Sequence, residues 1–160
     1  MAVAVGDRIP DVEVRTMGAE GPQVVRTAEV LGTGTVVLFA VPGAFTPGCS
    51  KIHMPGFVSN SAELAAKGVT KVACVSVNDA WVMQAWAEAQ GADGKVVMLA
   101  DGNGDFTEAM GLLFDAGGFG LGKRSQRYAA IITDGVITSL DVEPKGGVVV
   151  SSCEAVLGRL

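Results

Sequence analysis

The sequence predicts an α/β fold with a central mixed β-sheet flanked by helices. Three observations carry that prediction. Short, continuous apolar runs recur along the chain, as strands buried on both faces require. Stretches with helical character separate them. Near the end, two strand-like runs are joined by Asp134-Gly135, a hairpin turn signal.

Taken in order, Val12–Arg15 and Gln23–Arg26 have the pattern of an N-terminal hairpin. Thr35–Val41 (TVVLFAV) is a buried strand, and roughly residues 47–67 are helical. Pro55-Gly56 is expected to kink or end the first part of that stretch. Val69–Val77, rich in valine, is the next strand. In the helix Asp79–Gln90, Trp81, Met83, Ala85, Trp86 and Ala89 are distributed like a buried face. Lys95–Ala100 is a short strand and Asp105–Leu112 a short helix. Arg127–Thr133 and Val136–Asp141 form the late hairpin. The end is helical, with Ser151 as cap and Glu154 three residues on as the partner of a capping box. The order β-α-β-α-β-α-β-β-α, parallel strands followed by an antiparallel pair, suggests a thioredoxin-like sandwich without singling it out.

A length of 160 residues suits one domain, residues 1–160, with a sizeable core. Hydrophobic residues make up 49% and charged residues 18%, which excludes a disordered chain. A net charge of −5 without a basic run argues against nucleic acid. The apolar runs are too short to cross a bilayer, so no membrane partner is expected. The N-terminus has no basic region followed by an apolar stretch, so it does not read as a signal peptide. A cytoplasmic protein is predicted, with import through a removed presequence left open. The cysteines are Cys49, Cys74 and Cys153, an odd number that argues against a secreted disulfide scaffold. No two of them sit at CxxC spacing, and one histidine with three scattered cysteines serves zinc poorly, so no metal is called for.

The chemistry concentrates in Pro42-Gly43-Ala44-Phe45-Thr46-Pro47-Gly48-Cys49-Ser50, directly after the strand Thr35–Val41. Ligands in open α/β sheets bind just past strand C-termini. Thr46 suits a helix N-cap and Pro47 the first helical position. Cys49 then falls in the first turn, near unpaired backbone N–H groups and the positive end of the helix dipole. That setting favours the thiolate, the nucleophilic form. The alternative is a cysteine that merely fills the core, which free cysteines commonly do. His53, four residues on, shares the helix face of Cys49.

The stretch PGAFTPGCS resembles the PxxxTxxC signature of peroxiredoxins, and Val41–Phe57 is similar to the type II, or peroxiredoxin 5, subfamily. ACVSVND at Ala73–Asp79, the tryptophan-bearing helix, GLGKRSQRY at Gly120–Tyr128 and DVEP at Asp141–Pro144 extend the likeness over nearly the whole chain. The resemblance implies a thiol-dependent peroxidase for hydrogen peroxide and alkyl hydroperoxides. Cys49 would be the attacking thiolate, with Thr46 bonded to it and to the peroxide and Pro42 shielding the pocket. Arg127 would be the active-site arginine, with Arg124 the competitor. Phe45, Gly48 and Phe119 would border the substrate, and His53 would pack or hydrogen-bond nearby. No cofactor is implied. The reductant would be thioredoxin or glutaredoxin with glutathione, and the partner a second copy in a homodimer formed through the loops around the site.

A cysteine matching Cys74 is the proposed resolving residue of plant-like members. Cys153 is the weaker candidate, because Ser151 takes the place of the animal-type resolving cysteine. Cys153 would lie in the first turn of the last helix, where a thiol can again be acidified. The chain ends without the Tyr-Phe extension of typical two-cysteine members, which suggests an atypical enzyme. The competing reading is a non-enzymatic redox sensor on the same fold, for which Thr46, Cys49 and Arg127 would not be needed together. A thioredoxin-type oxidoreductase wants CxxC, and a phosphatase-type site wants an arginine soon after the cysteine. The sequence offers neither.

Overall fold

The computed structural model describes all 160 residues. A seven-stranded mixed sheet forms its centre. The strands are β1 (Glu13–Gly18), β2 (Gly21–Arg26), β3 (Thr35–Ala40), β4 (Val69–Ser76), β5 (Val97–Ala100), β8 (Tyr128–Thr133) and β9 (Val136–Val142). Their spatial order is β2-β1-β5-β4-β3-β8-β9. β3, β4 and β5 run parallel, while β8 is antiparallel to β3 and β9 to β8. β6 (Leu113–Asp115) and β7 (Lys123–Ser125) make a separate hairpin.

Alternation along β3 divides the core in two. Val37, Phe39 and Val41 face one cluster with Phe57, Leu64, Trp86 and Val156. Val36, Leu38 and Ala40 face another with Leu31, Phe106 and Met110. The helices α2 (Met54–Ser59), α3 (Ser61–Ala66), α4 (Ala80–Gln90) and α6 (Cys153–Leu157) thus cover one face. The helices α1 (Thr27–Leu31) and α5 (Asp105–Met110) cover the other. A strand with helices on both sides buries both faces, which is why Thr35–Val41 is apolar without alternation. Each large side chain so buried contributes about 1.5–3 kcal/mol.

The structure corrects four local expectations. The helical stretch from residue 47 is not one helix. It opens with helical residues 47 and 48, widens into a π-turn at Cys49–His53, continues as α2 and breaks at Asn60 before α3. Pro55 does not end it. Instead the wide turn lies just ahead of Pro55, whose ring disfavours an ordinary turn against the Lys51 carbonyl.

In α4, the buried residues are Ala80, Met83, Trp86 and Ala87. Trp81, with Ala85 and Ala89 at four-residue steps, lies on the outward face, and Trp81 is 67% exposed. The cap of α6 is Ser152, whose hydroxyl accepts from the Ala155 N–H at 3.1 Å, and not Ser151. Ser151 is buried, with its hydroxyl given to Glu143 at 2.6 Å. Fourth, Arg127 precedes β8 and is not its first residue, and Arg124 belongs to β7.

Candidate active site

The loop after β3 is held from below. The Ala44 N–H donates to Asn78 Oδ1 at 3.0 Å, and the Ser76 hydroxyl donates to the same oxygen at 2.6 Å while lying 3.2 Å from the Val41 carbonyl. Within the loop, Phe45 takes a left-handed φ of 66°, uncommon for a bulky residue. The Thr46 N–H meets the Gly43 carbonyl at 3.3 Å. Thr46 then precedes Pro47 at the start of the helix, as the spacing predicts. Its hydroxyl does not cap the helix. It lies 2.7 Å from the Gly43 carbonyl and 2.9 Å from Cys49 Sγ.

One hydroxyl has one proton, so these two contacts define two states. Against a thiol, Cys49 donates to Thr46 and Thr46 donates to Gly43. Against a thiolate, Thr46 donates to the sulfur. Arg127 Nη2 supplies a second donor to Sγ at 3.2 Å. Both groups are placed to donate to the sulfur. Gly48 leaves room for that approach, since a Cβ there would come within 3.2 Å of Arg127 Nη2. Cys49 itself is fully buried.

His53 is placed beside Cys49 by the π-turn, in which the Met54 N–H bonds to the Cys49 carbonyl. Its ring sits against Phe39, at 4.9 Å between centroids, and Phe57, at 5.7 Å. Nε2 is 2.8 Å from the Ser151 carbonyl and Nδ1 is 2.9 Å from Arg127 Nη1. A carbonyl only accepts and a guanidinium only donates, so the neutral ring carries its proton on Nε2. Burial pushes the imidazole down to about 4 from 6.5. The charge of Arg127 acts with burial, while the Ser151 carbonyl and Glu143 act against it.

A prediction about stability follows. The unfolded chain takes up the proton near 6.5 and the folded chain only near 4. Between these values the unfolded state holds more protons, so stability is complete above pH 6.5 and falls as pH drops through the window. The loss from this group approaches roughly 3 kcal/mol. Urea unfolding across this range should show a shallower pH slope in His53→Gln than in wild type. Equal slopes would remove His53 as the cause.

Arg124, the competing arginine, turns elsewhere: its Nε donates to the Leu121 carbonyl at 3.0 Å and its Nη1 lies 3.5 Å from the Pro42 carbonyl. Pro42 and Arg127 line a cavity of about 420 Å³ together with Phe114, Gln126, Glu143 and Lys145. Phe45 and Phe119, expected beside the substrate, do not line that cavity and are 54% and 78% exposed.

Cys74 lies inside β4, fully buried, with its Cα paired to Phe39 on one side and Met98 on the other. Its thiol is pushed well up, first by burial and then by Cys49. Cys153 opens α6, where the helix terminus was expected to acidify it. The opposite holds: burial, with Glu154 and Glu63 adding to it, pushes the thiol up to about 12. The α6 helix is short and its first turn is acidic and packed, so desolvation outweighs the dipole. No group of histidine, cysteine and carboxylate side chains is arranged to hold a metal ion. No helix is long and apolar enough to cross a membrane.

Comparison with known proteins places this geometry in a family. The Redoxin family model matches residues 4–157. The chain is 47% identical to a chloroplastic peroxiredoxin-2E-2 of Oryza sativa, over 99% of this chain and 72% of that one. It is 40% identical to peroxiredoxin-2B of Arabidopsis thaliana, over 99% and 98%. Among solved structures, reduced Prx3 of Vibrio vulnificus, determined in complex with hydrogen peroxide, superimposes with a TM-score of 0.94. It shares 48% identity, with 98% of each chain covered. Peroxiredoxin 5 of Alvinella pompejana superimposes with a TM-score of 0.85 at 35% identity, over 97% and 96%. The thioredoxin-like mixed sheet, its flanking helices and these full-length likenesses agree: the chain belongs to the peroxiredoxins, as a type II, peroxiredoxin-5-like member, and is a thiol-dependent peroxidase.

Proposed function

We propose that Cys49 is the peroxidatic residue, and that Thr46 and Arg127 activate it and bind the peroxide, with Pro42 and Gly48 shaping the approach. One observation carries the reading: Thr46 Oγ1 and Arg127 Nη2 converge on Cys49 Sγ at 2.9 and 3.2 Å. The Cys49 thiolate attacks the terminal oxygen of a hydroperoxide. An S–O bond forms and the O–O bond breaks, giving a sulfenic acid and an alkoxide or hydroxide that takes a proton and leaves. Sulfur is oxidised and the peroxide reduced. The two donors that hold the thiolate also face the oxygens on which charge develops. Hydrogen peroxide as a substrate is supported by the peroxide complex of the Vibrio vulnificus relative. Alkyl hydroperoxides have the same O–O bond.

An external thiol is the favoured reductant. Resolution needs a thiolate to attack the sulfenic sulfur. Cys74 and Cys153 are both buried, and both thiols are pushed up. Glutaredoxin with glutathione, or thioredoxin, then releases water from the sulfenic acid as a mixed disulfide forms, and a second thiol returns Cys49 to its reduced state. Residues 1–160 act as one domain, since the sheet takes strands from Glu13 to Val142. The exposed Phe45 and Phe119 suit a homodimer contact, and three unpaired thiols suit the cytoplasm.

The test is mass spectrometry of the protein after one equivalent of peroxide, with a sulfenic-acid trap present. The expected product is a trapped adduct on Cys49 and, with glutathione added, a Cys49 mixed disulfide. An adduct on Cys74 or Cys153 alone would overturn the assignment of Cys49. A Cys49–Cys74 or Cys49–Cys153 bridge would overturn the external route and name the resolving residue.

A further inference from the structure

We infer that Glu143 is a positioning residue for Arg127: its carboxylate holds the Ser151 backbone, the Ser151 carbonyl holds His53, and His53 holds the guanidinium on Cys49. The inference rests on Cys49 and Arg127 acting as proposed above.

The chain of contacts is continuous. Glu143 Oε2 accepts from the Val149 N–H at 2.8 Å, the Ser151 N–H at 2.8 Å and the Ser151 hydroxyl at 2.6 Å. Burial alone would raise this carboxyl, but the bonds from Ser151 and Val149 outweigh it and lower it, so the group is ionised at neutral pH. With its N–H and hydroxyl both taken by Glu143, Ser151 turns its carbonyl to His53 Nε2 at 2.8 Å. That contact decides the tautomer. The proton must sit on Nε2, so Nδ1 keeps its lone pair and accepts from Arg127 Nη1 at 2.9 Å. In the other tautomer an N–H would oppose an N–H, and the guanidinium would lose its hold. The ring packs against the stacked pair Phe39 and Phe57, at 4.9 and 5.7 Å between centroids, which limits its swing.

Glu143 holds Arg127 a second time. Its own backbone N–H donates to the Arg127 carbonyl at 2.9 Å. One residue therefore anchors both the main chain of Arg127 and, through two intermediaries, its side chain. Of the guanidinium's two contacts near the site, Nη1 is the one held by protein and Nη2 the one presented to sulfur. Fixing the first aims the second, which a flexible arginine on a loop would otherwise lose entropy to do. The Glu143 carboxylate spends its bonds on Val149 and Ser151, so it reaches Cys49 only by way of Arg127.

The test compares Glu143→Ala, Glu143→Gln, His53→Phe and the double variant Glu143→Ala/His53→Phe in the full chain. Two readouts are the second-order rate with hydrogen peroxide and the pH profile of Cys49 alkylation. The third is the imidazole nitrogen NMR spectrum, which reports one residue because His53 is the sole histidine. In Glu143→Ala the rate should fall on the order of tenfold or more, as misplacement from a distance does. Alkylation should move to higher pH, and the histidine signals should shift away from the pure Nε2–H form. Glu143→Gln keeps an acceptor and should recover most of the rate. The double variant should be no slower than His53→Phe alone, since both act on one path.

The positioning role is overturned if Glu143→Ala lowers the thermal midpoint but leaves the rate and the alkylation profile unchanged. It is equally overturned if the losses of the two single variants multiply. Where Glu143→Ala does not fold, Glu143→Asp is read in the same way, since it keeps the charge and withdraws it from Ser151. Cys49→Ser separates the two levels. Retained turnover there removes the site reading itself, whereas lost turnover there with a wild-type rate in Glu143→Ala removes only Glu143.

Discussion

Replacing Cys49 by serine should abolish peroxide turnover with every thiol reductant, leaving only background. Serine nearly matches the size of cysteine and keeps the Thr46 and Arg127 contacts in reach, so the fold should survive. What it lacks is a stable anion at neutral pH and an atom that can accept oxygen from the peroxide. Thr46 and Arg127 stand 2.9 and 3.2 Å from the sulfur, and neither helps a neutral hydroxyl to attack. The measurement is peroxide consumption with glutathione plus glutaredoxin, and separately with thioredoxin. Cys74→Ser and Cys153→Ser serve as controls. Both should retain turnover with the external thiol. Activity surviving in Cys49→Ser, or vanishing in Cys74→Ser under all reductants, would contradict the assigned roles.

Substituting Arg127 has the second-largest expected effect. Arg127→Met keeps much of the stem and removes both guanidinium contacts. Loss of one preorganised donor to a developing charge costs on the order of a hundredfold to a thousandfold. Here the same loss strips a donor from the ground-state thiolate and leaves His53 Nδ1 without its partner at 2.9 Å. Arg127→Lys should recover little. An ammonium can satisfy His53 or the sulfur, but it lacks the planar fork that reaches both. Stopped-flow rates with hydrogen peroxide would show it. Arg124→Met is the control and should stay near wild type, because Arg124 spends its donors on the Leu121 and Pro42 carbonyls. If Arg124→Met fell further than Arg127→Met, the two arginines would exchange roles.

The sequence alone determined the parts that depend on neighbours in the chain. β3 is legible as an unbroken apolar run because it is buried on both faces, and Asp134-Gly135 marks the hairpin because Asp134 and Gly135 both take positive φ, at 48° and 83°. Thr46 and Cys49 are three residues apart, so the start of one helix is enough to bring them together. Only the tertiary structure decided the rest. Arg127 reaches Cys49 across 78 residues and Ser151 reaches His53 across 98, distances closed by the order of β3, β8 and β9 in the sheet. Periodicity could not choose between Arg127 and Arg124, because it says where a side chain points on its own element and not what stands opposite. It misplaced Trp81 and the α6 cap for the same reason. A face is apolar or a serine capping-competent in isolation, but which face is covered, and whether Ser151 or Ser152 is free to cap, depends on α4 meeting the sheet and on Glu143 taking Ser151. The proposed reactive thiol was thus written locally, and the arginine that reaches its sulfur was placed by long-range packing.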